Sequence, residues 1–96
     1  MTHRIVATAP TSYQSRSLSH FNLNTKKNGN GSITGIMDFY SEEDAKDFLV
    51  NRAELYYENE EQLNEALDDI ERCGILSLDT VTARIIELDQ AEEEKW

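Results

Sequence analysis

Charge divides this chain in two. No Asp or Glu occurs before Asp38, whereas residues 1–37 carry Arg4, Arg16, Lys26 and Lys27. Residues 38–96 hold all 19 acidic side chains and only five basic ones, Lys46, Arg52, Arg72, Arg84 and Lys95. The two parts therefore stand at +4 and −14, within a net charge of −10. Carboxylates at that density must stay in water, so any fold has to set an anionic surface apart from its core. A chain divided this way can present a cationic, amide-rich edge and an anionic face. That combination suits docking against a large partner of mixed charge better than it suits catalysis.

Ninety-six residues form one small domain with a single core, spanning 1–96. The lone cysteine, Cys73, excludes an internal disulfide. No signal-peptide pattern follows Met1, and no apolar run approaches the ~20 residues of a membrane span. The expectation is a protein of the reducing cytoplasm, without a membrane. The acidic excess opposes long-range attraction to free duplex DNA.

Local signals predict the elements. Ile5, Val6 and Thr8 favour a strand over His3–Ala9, ended by Pro10. Thr11–Ser19 reads as a polar connection, with Tyr13 as an anchor. Leu18–Asn24 alternates, Phe21 and Leu23 against His20, Asn22 and Asn24, and is predicted as a second strand. Thr25–Gly31 is the strongest turn signal, because Asn and Gly tolerate positive φ. Ser32–Phe39 returns as a third strand with Ile33, Met37 and Phe39 on one face, giving a hairpin with a basic tip.

Ser41 caps a first helix whose apolar stripe is Ala45, Phe48, Leu49, Ala53 and Tyr56. Asn59, with Gln62 three residues on, caps a second with the stripe Leu63, Ala66, Leu67 and Ile70. Gly74 occupies the terminating left-handed position. Leu76–Leu88 fits both helical and strand patterns, and three β-branched residues in a row favour a strand. Residues 91–96 read as a frayed acidic tail. The sum is an α+β domain, β-β-β-α-α-β, with two helices on one face of an antiparallel sheet.

Two surfaces stand out as candidate sites. The first is basic and amide-rich: Arg4, Arg16, Asn24, Lys26, Lys27, Asn28 and Asn30. Its lysines can meet phosphates and its amides can bond base edges or polar groups. The same residues also serve a solvated hairpin turn. The second is acidic, with Glu42, Glu43, Asp47, Glu61, Glu65 and Asp68 prominent on the two helices. It can imitate a phosphate array or simply face water. No catalytic, metal or cofactor site is expected. His3 and His20 lack sequence partners, and one Cys with two scattered His does not make a zinc site. The segment Asn28-Gly29-Asn30-Gly31 lacks phosphate-loop spacing.

In its size, acidic excess and basic polar segment Asn24-Thr25-Lys26-Lys27-Asn28-Gly29-Asn30, the chain resembles the small anti-CRISPR proteins that bacteriophages make against type I surveillance complexes. The resemblance covers the whole length and rests on style, without a diagnostic motif. It implies a non-catalytic inhibitor in the cytoplasm of a bacterial host. Such a protein would act as a monomer and block target hybridisation by the RNA-guided complex. The hairpin would face guide RNA or a polar groove, and the helix carboxylates would face basic channel walls. The alternative is a phage or plasmid accessory protein that bridges proteins or homodimerises, with no nucleic-acid role.

Overall fold

Strand β1, His3–Ala9, is bonded along both edges and organises the molecule. The computed structural model describes residues 1–11 and 14–88. After β1 come α1 (Ser15–Ser19), β2 (Asn24–Lys27), β3 (Ile33–Phe39), α2 (Glu42–Tyr56), α3 (Glu60–Cys73), β4 (Ile75–Leu78) and β5 (Val81–Glu87). The five strands form one antiparallel sheet in the order β2-β3-β1-β5-β4, so the α+β class holds.

Register decides which side chains meet the helices. Ile5 stands between Met37 and Ile85, and Ala7 between Gly35 and Ala83. These residues, with Ala9, Leu76, Leu78 and Val81, point to one face. There they join Ala45, Leu49 and Ala53 of α2, Ala66 and Ile70 of α3, and Leu18 of α1 in a single core. Alanine and glycine at the sheet centre and alanine on α2 let the helix backbone approach closely. The molecule is only 16 Å across its thinnest direction.

Predicted caps appear as read. The Ser41 hydroxyl accepts from the Asp44 amide at 3.1 Å, and the Asn59 side chain accepts from the Gln62 amide at 3.1 Å. Gly74, at φ +66, ends α3 with its amide on the Ile70 carbonyl. Its own carbonyl accepts from Ile85 at 2.8 Å, which carries the chain directly into the last hairpin.

The structure corrects three expectations. The polar connection contains a helix, α1, and Leu18–Asn24 is not a strand. Turn bonds from the amides of His20, Phe21 and Asn22 continue from α1, and Asn22 sits at φ 54, which a strand cannot hold. Phe21 and Leu23 are nevertheless buried, and the loop presses Leu23 over Gly35. The second strand begins at Asn24, so Lys26 and Lys27 lie in the strand and the turn is shorter than predicted. Finally, Leu76–Leu88 is two strands, not one. The reversal occurs at Asp79-Thr80, with Asp79 at φ 57 supplying the conformation usually given to glycine. The order is therefore βαββααββ. Glu58 falls between α2 and α3. The readings of Tyr13 and of residues 91–96 lie outside the described residues.

Candidate partner-docking surface

The hairpin tip is built from its own amides. The Asn28 side-chain amide donates to the hydroxyls of Ser32 and Thr34, both at 2.9 Å. The Asn30 side-chain oxygen accepts from the Ser32 amide at 3.0 Å and from its hydroxyl at 2.7 Å. Gly31, at φ +90, allows the chain to reverse. Asn28 and Asn30 thus hold the turn in shape, and Asn28 is not a surface residue that can be removed without cost. Asn24, Lys26 and Lys27 are exposed on β2, an edge strand.

Arg4 and Arg16 stand elsewhere. Arg4 is only 5% exposed and lies on the sheet face away from the core. Its guanidinium grips Asp38 through Nε at 2.6 Å and Nη2 at 3.2 Å, a two-pronged pair across β1 and β3. Arg16 is exposed on α1, at the rim of a shallow cleft with Thr11, Gln14, Ser17, Asp79 and Thr80. Register places Lys27 beside Ile33 and Ile33 beside Ala9, at the same end of the sheet as the Asp79-Thr80 turn. The cations of residues 1–37 therefore share an end of the sheet in part. Lys27 and the Asp79 turn are still separated by about three strand spacings, ~14 Å.

The acidic set lies on the opposite layer. Glu42, Glu43 and Asp47 are exposed on α2, and Glu61, Glu65 and Asp68 on α3. Residues 42–73 hold twelve acidic side chains against Lys46, Arg52 and Arg72. Two i,i+4 pairs, Lys46–Glu42 and Arg72–Asp68, both at 3.1 Å, offset a small part of this charge. Glu42 also stands 3.8 Å from His3 Nε2. Tyr57 donates its hydroxyl to the Ser77 carbonyl at 2.8 Å. Burial, then Tyr56 and Asp69, raise its pKa above the ordinary value.

Several residues of interest escaped the sequence reading. Ser17, 4% exposed, donates to Asp79 at 2.6 Å and accepts from Thr80 at 3.1 Å, latching α1 to the last turn. Arg84, counted with the acidic half, is exposed on the face opposite the helices, beside Val6 and Ile75. The alternation of Val81, Ala83 and Ile85 with Thr82, Arg84 and Ile86 was the available signal. Among the described residues no group of His, Cys, Asp or Glu could hold a metal ion, and no helix is long and apolar enough to cross a membrane. No family model, curated protein or solved structure matches the chain.

Proposed function

We propose that this chain is a non-catalytic inhibitor that docks on a host RNA-guided defence complex of the type I CRISPR class and blocks target nucleic-acid binding. The observation that carries the reading is the separation of charge between layers. Residues 42–73 carry twelve carboxylates against three bases, and Lys26 and Lys27 lie on an edge of the sheet. A thin, two-sided wedge can set Lys26 and Lys27 against guide RNA or a polar groove while its helices face basic channel walls. Steric and electrostatic obstruction then suffices, with no turnover. Two side chains of types that often carry chemistry serve the fold: Ser17 is held by Asp79 and Thr80, and His20 stacks edge-on against Tyr56 at 4.9 Å.

The test is binding to a purified type I surveillance complex with two variants. Lys26→Ala with Lys27→Ala removes the cationic edge, and Glu61→Lys with Glu65→Lys reverses part of the acidic layer. Each should lower affinity at least tenfold in a protein that still unfolds cooperatively on heating. Equal affinity in both would sink the proposal. Asn28 is left intact because it holds the turn.

The alternative, protein bridging or homodimerisation, draws on the exposed edge of β2. Lysines at 26 and 27 oppose like-with-like strand pairing there. A salt-independent dimer in sedimentation, with no retention of the complex, would establish it.

A further inference from the structure

The sheet has a second face, which no described helix covers. Alternation along the strands places Val6, Ile36, Ile75 and Ile86 on it, together with Lys26, Arg84 and the Arg4–Asp38 pair. Arg84 stands between Val6 on β1 and Ile75 on β4, and Ile36 lies beyond Val6 on β3. This is the reverse of the molecule's general character. In a protein of net charge −10, the described strand residues on this face include Arg4, Lys26 and Arg84 and one carboxylate, Asp38, which Arg4 grips.

We infer that this face is a docking surface for a protein segment in which carboxylates alternate with aliphatic side chains. Charge complementarity names the carboxylates: Arg84 is exposed and its planar fork suits bidentate contact with Glu or Asp. The apolar neighbours name the rest. Aliphatic groups around a central arginine are the composition of a protein interface centre, where exclusion of water strengthens the ion pair. A nucleic-acid strand fits poorly. The residues just named include no aromatic on which a base could stack, and Asp38 would repel phosphate. An extended segment also has the period of two that matches the pleat. The inference adds a surface to the docking proposed above, and it stands whether or not the partner is a defence complex.

The test is an NMR titration of the isotope-labelled protein with two probes, a synthetic octapeptide of alternating glutamate and leucine and an oligouridine of the same length. The peptide should shift the amides of Val6, Ile36, Arg84 and Ile86, and the oligouridine should not. Arg84→Glu should weaken peptide binding at least tenfold. Val6→Thr, which keeps the cation and the strand preference, should weaken it several-fold, so a folding defect in one variant leaves the other decisive. Oligouridine shifting these amides in place of the peptide, or neither probe shifting them, overturns the inference. So does a shift of the same amides on dilution alone, which would make a second copy the occupant. Loss of residues 89–96 shifting them without any probe would assign the face to the chain's own carboxylates and also overturn it. Failure to bind a surveillance complex, with the peptide still bound at this face, would sink only the proposed function.

Discussion

Gly35 shows how one residue sets a packing distance. A Cβ at this position would stand 3.1 Å from Leu23 Cβ and 3.4 Å from Leu18 Cδ1. Its absence lets the loop after α1 settle on the sheet. Gly35→Ala should cost about 1–2 kcal/mol in chemical denaturation, and Gly35→Val more, through overpacking. An unchanged midpoint would show that this loop yields freely. Tyr57 acts through its hydroxyl. Tyr57→Phe should cost about 1 kcal/mol at neutral pH by leaving the Ser77 carbonyl without its donor. Because the folded-state pKa is raised, the folded state holds the phenolic proton more tightly than the unfolded chain. That contribution is complete below the ordinary value of 10.0 and is lost as pH rises through the folded pKa. The stability gap between wild type and Tyr57→Phe should therefore narrow as pH rises above 10.0, and a constant gap would refute the assignment.

At the scale of elements, caps carry more of the specification than propensity does. Two acidic helices begin at Ser41 and Asn59, each with a side chain on an otherwise orphan amide. Ser41→Ala and Asn59→Ala should each lower stability by about 1 kcal/mol. Glu42, Glu43 and Asp44 in the first turn of α2, and Glu60 and Glu61 in that of α3, complement the helix dipole. Neutralising Glu60 and Glu61 together as Gln should thus cost stability at low salt despite relieving net charge. A gain in thermal midpoint would mean that repulsion outweighs the dipole. The two long helices and β1 were legible because their signals are local: periodic apolar residues, capping side chains and a terminal proline or glycine. The segment from Leu18 to Asn24 was not. Its alternation of buried and exposed residues is real, but Asn22 at φ 54 produces it in a loop, and nothing local distinguishes the two.

At the scale of the whole molecule, charge is sorted by layer. Residues 42–73 are far from neutral, and screening should relieve repulsion between α2 and α3. Raising sodium chloride from about 10 mM to 0.5 M should lift the thermal midpoint by roughly 5 °C, corresponding to about 1 kcal/mol for a domain of this size. A falling midpoint would show that attraction between the layers dominates. The candidate site was legible only in part. Lys26, Lys27 and the acidic helix residues were found because they are numerous and exposed. Arg84 was missed because it lies among acids in the chain, and register alone carries it to the cationic face.

The chain by itself determined the class of the fold, both long helices and their caps, the first strand, and the accumulation of acid between residues 42 and 73. These follow from interactions within a few residues, which a linear pattern records. Only the tertiary structure decided that Leu76–Leu88 folds into two strands. It also drew Arg4 onto Asp38, locked Ser17 to the turn at Asp79 and packed every described helix on the same face of the sheet. Each of these depends on partners 34 to 62 residues apart or on strand register. Such pairings appear only when the sheet closes and fixes which side chains share a face.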